Sequence, residues 1–216
     1  MRATPAGSIG IATAGVLVAV LACGRPAHAF TVNITAANPK AIYLQVGVGT
    51  FTGGNYNAGG SPGINTTINT VSVSVPAASV GNGAAQAMTT NSTQAISFWD
   101  GFTFCNLPAQ LYIGGFYRNT TNTGAATVTA TSPANLVNAG GDTIPFTQIS
   151  WTSSGNGDGA AAQPFPAGAF VGGVQTIGTI NRNQWAESCH TFSYANTSVR
   201  PAGTYTGRVT YTLSSP

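Results

Sequence analysis

Few side chains in this chain are of types that perform acid–base, nucleophilic or metal chemistry. Of 216 residues, lysine and arginine contribute 7 and aspartate and glutamate 4. The carboxylates Asp100, Asp142, Asp158 and Glu187 are far apart in the sequence, and nothing in their spacing pairs them as glycoside hydrolysis requires. His190 is the one histidine after the first 29 residues, so any histidine-based triad would depend on it. These residues favour a protein that is not an enzyme and predict no cofactor.

Two short motifs match the sequence patterns of a catalytic serine and of a calcium loop but lack the features that those sites need. Residues 59–63, GGSPG, fit the pattern of a nucleophile elbow, which needs a strand before the serine and a helix after it. Glycine-rich and threonine-rich segments flank the motif instead. Residues 156–159, NGDG, carry one aspartate, whereas calcium takes six to eight oxygen ligands. We interpret both motifs as turns and predict no metal site.

Cys105 and Cys189 are the two cysteines that follow residue 29. In an oxidising compartment two such thiols pair, so we predict a disulfide between them. A metal site that uses both cysteines and His190 is the alternative. It lacks the close ligand spacing and the fourth ligand that zinc sites have.

The first 29 residues are typical of a secretory signal. The apolar run at residues 9–23 is shorter than a membrane span, and Ala27-His28-Ala29 has the pattern of a cleavage site. We predict a signal peptide at 1–29 and a single mature domain at 30–216 with no membrane span. The protein would then be exported to the periplasm, the cell surface or the medium. Lipidation at Cys23 and an uncleaved anchor are the alternatives.

The charge of the mature chain excludes one class of partner. Residues 30–216 contain five basic and four acidic side chains, and five minus four gives a net charge of +1. Nucleic-acid binding requires clustered lysine and arginine, so we predict no nucleic-acid partner. A weakly charged surface rich in threonine and asparagine favours self-association or a neutral glycan.

Alternation of apolar and polar residues dominates the mature chain. Residues 203–213, GTYTGRVTYTL, place Tyr205, Val209, Tyr211 and Leu213 on one face and threonines on the other. About ten such segments, separated by Gly, Pro and Asn clusters, predict an all-β fold. We expect an antiparallel immunoglobulin-like β-sandwich with little helix, at most one helical turn near 182–188. One sandwich is favoured over two small ones because the predicted disulfide would join the two halves.

Aromatic residues are the candidate ligand contacts. Trp99, Trp151 and Trp185, with Tyr56 and Tyr117, could stack on sugar rings. Trp99 and Trp151 lie in predicted strands, where the core is the expected place. Trp185 has polar neighbours, so Trp185 and Tyr117 are the candidate glycan contacts, although we favour the core for Trp185 as well.

The C-terminal sequence PAGTYTGRVTYTL at 201–213 resembles the last strand of bacterial coat-U-like and chaperone–usher pilin domains. The whole chain is also similar to uncharacterised secreted proteins of Gram-negative bacteria. The pilin resemblance implies a subunit that lacks one strand and receives it from a neighbour, with a periplasmic chaperone as a partner. Phe30, Val32 and Ile34 would then lie on the donor strand. Pairing of this segment as the first strand of its own domain is the alternative, and we favour it.

These observations favour an exported, non-enzymatic structural or surface protein, with a fimbria-like or coat-like subunit as its most specific form. The alternative function is an adhesin-like β-sandwich that binds a glycan or a host molecule. Self-association, a periplasmic chaperone and a neutral glycan are the expected partners.

Overall fold

The computed structural model describes residues 30–216, and the predicted signal peptide with Cys23 lies outside the described residues. This part of the chain is built from short strands with three single 3-10 turns, at Tyr56–Ala58, Ala77–Ser79 and Phe146–Gln148. All strand pairs are antiparallel. The prediction of an all-β, sandwich-like fold with little helix is confirmed. Within the described range, no helix is long and apolar enough to cross a membrane.

The strands number sixteen rather than ten, because several have only two or three residues. In chain order they are β1 (Thr31–Asn33), β2 (Ala41–Val46), β3 (Phe51–Thr52), β4 (Ser61–Pro62), β5 (Val71–Ser72), β6 (Gln86–Ala87), β7 (Thr89–Thr90), β8 (Gln110–Arg118), β9 (Ala126–Thr131), β10 (Asn135–Val137), β11 (Thr143–Pro145), β12 (Ile149–Ser154), β13 (Gly168–Ala169), β14 (Val174–Ile180), β15 (Gln184–Tyr194) and β16 (Thr210–Ser214).

The largest sheet has seven strands and is organised around β15. Its main order is β13-β12-β15-β8-β2, and β1 and β6 also pair with β15. A second sheet has three strands in the order β14-β9-β16. Three two-stranded ladders, β3-β4, β5-β7 and β10-β11, complete the described pairing. With eleven residues β15 is the longest strand, which lets it hold four partner strands along its two edges.

The two sheets pack face to face, and their inner faces form the first core. Leu111 and Ile113 of β8 meet Val128 of β9 and Leu213 of β16 there. Because side chains alternate across a strand, the intervening residues of β8 point to the other face. Tyr112 is one of these, and it lies in a separate core.

The second core covers the outer face of the seven-stranded sheet. Two stretches of the long connection between β2 and β8, residues 51–60 and 97–105, form what we call the cover. The buried members of this core are Phe98, Phe104, Cys105, Tyr112, Phe116, Trp185 and Cys189. The Cys105–Cys189 disulfide, with Cα atoms 5.6 Å apart, joins the cover to β15, so the predicted disulfide is confirmed.

One expectation about local structure is wrong, that for residues 182–188, and one is confirmed in part, that for residues 203–213. The helical turn near 182–188 is wrong, because β15 begins at Gln184 and pairs at once with β8 and β1. The alternation at 203–213 is confirmed, with Tyr211 half-buried, Leu213 buried and Thr212 exposed between them. The strand itself starts only at Thr210, because the preceding residues make a single isolated bridge, between Val137 and Thr206.

Candidate functional site

The candidate donor segment pairs with its own domain in this structure. β1 runs along β15, with Val32 opposite Trp185. The Ile34 amide donates a hydrogen bond to the Asn183 carbonyl at 2.8 Å. Phe30, Val32 and Ile34 are half-buried and pack against the second core. The segment therefore occupies the place of a first strand, held by a ladder of three residues.

The two candidate glycan contacts are both inaccessible. Trp185 and Tyr117 are each 0% exposed. Trp185 points to the outer face of β15, but the cover lies over it, and its Nε1 donates to Glu187 Oε2 at 2.9 Å. Tyr117 points into the first core, where its hydroxyl accepts a hydrogen bond from Asn119 Nδ2 at 3.1 Å. Neither ring reaches a ligand, which corrects the assignment of these two residues as glycan contacts.

Tyr56 and Trp99 of the cover do reach the surface. Both are half-buried, and their rings stack with centroids 5.6 Å apart and an interplanar angle of 29°. Each also contacts the buried Trp185, at 5.3 Å from Tyr56 and 6.1 Å from Trp99. The expected core position is correct for Trp151, which is 5% exposed, but not for Trp99. Tyr56 and Trp99 therefore form a stacked aromatic pair that reaches solvent.

His190 is buried in a site that keeps its imidazole neutral. Its Nε2 lies 3.0 Å from the Phe165 carbonyl oxygen, and because a carbonyl only accepts, Nε2 carries the proton. Nδ1 has no hydrogen-bond partner in the described structure, and the ring stacks on Trp151 at 5.5 Å. Burial lowers the pKa of His190 to about 4. The imidazole is therefore neutral near pH 7 and closed off from solvent.

Glu187 is completely buried on the opposite face of β15 from His190. The Tyr112 hydroxyl donates to its Oε2 at 2.5 Å and Trp185 Nε1 donates to the same oxygen, while Oε1 has no partner within residues 30–216. Burial raises the pKa of Glu187 to about 7, and hydrogen bonding with the side chains of Ser97, Tyr112 and Trp185 opposes that rise. Because the sheet separates it from His190, the two groups cannot act as an acid–base pair.

Gly114 gives Tyr112 the space to reach this carboxylate. It lies opposite Glu187 in the ladder and two residues beyond Tyr112, on the same face. A Cβ atom on Gly114 would collide with the Tyr112 hydroxyl. We expect Gly114→Ala to break the Tyr112–Glu187 hydrogen bond and lower the free energy of unfolding by about 2 kcal/mol, measured by urea denaturation.

The matched control for this variant is Gly173→Ala, because a Cβ atom there meets nothing within 4 Å. We expect the control to change stability by less than about 0.5 kcal/mol. Wild-type stability in Gly114→Ala would contradict the role of Gly114 in placing Tyr112.

The NGDG motif lies in a turn, whereas the GGSPG motif contains the short strand β4, so the prediction of a turn is correct only for the first. Ser61 lies exposed in β4, and residues 63–70, which follow this strand, are not helical. Asp158 is buried, and its Oδ2 accepts from Gln163 Nε2 at 2.9 Å. Between residues 30 and 216, no group of three or more His, Cys, Asp or Glu side chains is arranged to hold a metal ion.

No family model, curated protein or solved structure matches this chain. The resemblance of its C-terminal strand to coat-U-like and pilin domains therefore stays a prediction. The geometry described above is what any proposal of function must rest on.

Proposed function

We propose that this chain is an exported, non-enzymatic structural protein of the bacterial cell surface, a coat-like or fimbria-like subunit that associates with further copies of itself through β1. The observation that carries the proposal is the position of β1 on β15. Three residues pair, and the flanking backbone adds two bonds, from Ile34 N to Asn183 O and from Glu187 N to Phe30 O. A strand held by so few bonds can leave its own sheet and take the same position in a neighbour.

The side chains of β1 suit such an exchange. Phe30, Val32 and Ile34 alternate with exposed polar residues and pack on the aromatic second core. Strand exchange would preserve these contacts, because each copy offers the same β15 edge and the same core. The near-neutral net charge of residues 30–216 opposes association only weakly.

The titratable groups support a structural role over a catalytic one. His190 and Glu187 are both buried, and they face opposite sides of the seven-stranded sheet. A catalytic acid or base must contact its substrate, either directly or through one water.

A cross-link across β1 and β15 tests the proposal. Asn33 and Gln184 are opposite each other in the ladder. The next pair along, Ile34 and Asn183, is joined by a backbone hydrogen bond, so Asn33 and Gln184 form a non-hydrogen-bonded pair. The Cα atoms of such a pair are closer together than those of a hydrogen-bonded pair. We expect Asn33→Cys/Gln184→Cys, oxidised after assembly at high concentration, to give a ladder of covalent dimers, trimers and longer species. Non-reducing denaturing electrophoresis would resolve this ladder.

Each single cysteine variant is the control and should give no ladder. Deletion of residues 30–36 should leave a monomer on a sizing column under the conditions in which the wild type assembles. A double variant that cross-links only within one chain, at every concentration, would overturn strand exchange.

A further inference from the structure

The stacked pair Tyr56–Trp99 forms the floor of a shallow groove at the end of β1. Two adjoining depressions, of about 310 and 360 Å³, share Thr35 and Tyr56. The first is completed by Asn33, Ile34, Asn57 and Trp99, and the second by Gly59, Gly60, Ser61, Pro62, Phe116 and Arg118. The volume of each depression falls within the range of small-molecule sites.

The floor of this groove is fixed before any ligand arrives. The Tyr56 amide donates to the Phe98 carbonyl at 2.9 Å, and the Asn57 amide donates to the Trp99 carbonyl at 2.8 Å. A Cβ atom on Gly60 would collide with the carbonyl oxygen of Gly54, so only glycine permits this close turn. Because the rings are already ordered, a ligand that stacks on them loses little binding free energy to side-chain ordering.

The polar side chains around the floor are amides, hydroxyls and one guanidinium, that of Arg118. Asn57 is exposed. The Oδ1 atom of Asn33 accepts a hydrogen bond from Gln184 Nε2, which leaves the Nδ2 group of Asn33 to donate to a ligand. Arg118 is tied to the rim, since its Nε and Nη2 donate to the Thr35 and Ala36 carbonyls and to Thr35 Oγ1. Neither depression is lined by a carboxylate.

We propose that this groove binds a neutral saccharide, with one sugar ring against the Tyr56–Trp99 pair and its hydroxyls on the Asn33 and Asn57 amides. Aromatic faces present an apolar surface of the size of a sugar ring, and amides both donate to and accept from hydroxyls. A proline-rich peptide also docks on aromatic grooves, but it would leave most of these amides without partners. This proposal does not depend on strand exchange. The end of β1 lines the groove whether β1 comes from the same chain or from a neighbouring copy.

The test is a glycan array of neutral oligosaccharides of glucose, galactose, mannose and N-acetylglucosamine, followed by titration calorimetry with the best probe. We expect Trp99→Ala to weaken binding at least tenfold and Asn57→Ala about fivefold. Phe102→Ala is the matched control, because Phe102 is a more exposed aromatic of the same cover and lines neither depression. This control should bind as the wild type does.

Asn57→Ala keeps the test decisive if Trp99→Ala unfolds, since Asn57 is exposed and its side chain makes no hydrogen bond within residues 30–216. A wild-type array without signal would overturn the proposal. Binding that Asn57→Ala and Trp99→Ala leave unchanged, or binding of a polyproline peptide in place of every glycan, would overturn it as well. Loss of the ladder in the cross-linking experiment would leave this result untouched, so the two proposals fail separately.

Discussion

The double variant Cys105→Ala/Cys189→Ala is expected to unfold with a free energy about 4 kcal/mol lower than that of the wild type. The two residues are 84 positions apart, and the cost of closing so long a loop in the unfolded chain is of that size. The link also fastens the cover to β15, so its loss frees the segment that buries the second core. We expect the change in urea denaturation followed by far-ultraviolet circular dichroism.

The burial of the disulfide allows a second experiment, which measures when its sulfur atoms become accessible to a reductant. Cys105 and Cys189 are 1% and 0% exposed, so a reductant should leave the bond intact until the protein unfolds. Thiol labelling in reductant should therefore rise only at denaturant concentrations that unfold the chain. Rapid labelling of the folded protein, or a double variant within about 1 kcal/mol of the wild type, would contradict this account.

The reduced wild type separates the effect of the disulfide bond from the packing of its two sulfur atoms. The wild type reduced in denaturant and refolded in reductant keeps both sulfur atoms but not the bond. We expect it to be destabilised nearly as much as the double alanine variant, since most of the effect comes from the unfolded chain.

The strand Thr210–Ser214, which has one exposed face, could be predicted from the sequence, whereas the first half of β15, which is covered on both faces, could not. Thr210–Ser214 alternates because one face packs on the first core and the other meets water. In contrast, β15 is covered on both faces, so its sequence shows no alternation, and its polar residues Gln184, Glu187 and Ser188 resemble a surface turn. The helical turn expected near 182–188 followed from that composition.

Which aromatic rings reach solvent was also beyond the sequence. Trp185 has polar neighbours in the chain, yet it is buried because residues 51–60 and 97–105, far away in sequence, fold over it. Trp99 belongs to that cover, and its ring therefore lies at the outer surface of the second core. The alternation of residues along a strand indicates the face on which a side chain lies. What covers that face depends on contacts between residues far apart in the sequence.

Glu187 and His190 should give the protein opposing pH dependences of stability that largely cancel. Glu187 titrates near 4.5 in the unfolded chain and near 7 in the folded one, so the folded state binds its proton more tightly. Its contribution is present below pH 4.5 and is lost as the pH rises to 7, by about 3 kcal/mol. His190 titrates near 6.5 unfolded and near 4 folded, so stability is lost as the pH falls from 6.5 to 4, by a similar amount.

Removal of one group should expose the effect of the other. We expect Glu187→Gln to become steadily more stable from pH 4 to 6.5, and to exceed the wild type by about 3 kcal/mol at pH 8. Glutamine keeps an acceptor for Tyr112 and Trp185 and removes the buried charge. His190→Gln, which keeps a donor for the Phe165 carbonyl, should instead lose stability from pH 4.5 to 7.

The double variant Glu187→Gln/His190→Gln should show neither slope, and Asp142→Asn, which removes an exposed carboxylate, should follow the wild type. Urea denaturation in steps from pH 4 to 8 gives all five curves, those of the wild type and the four variants. A Glu187→Gln curve parallel to that of the wild type would mean that the pKa of Glu187 is the same in the folded and the unfolded chain, so that Glu187 is ionised in the core at neutral pH. Its buried charge would then need a compensating group, and none of the described basic side chains contributes to its pKa. The two opposite single-variant slopes are therefore the signature that Glu187 and His190 are buried, without a partner of opposite charge, on separate faces of β15.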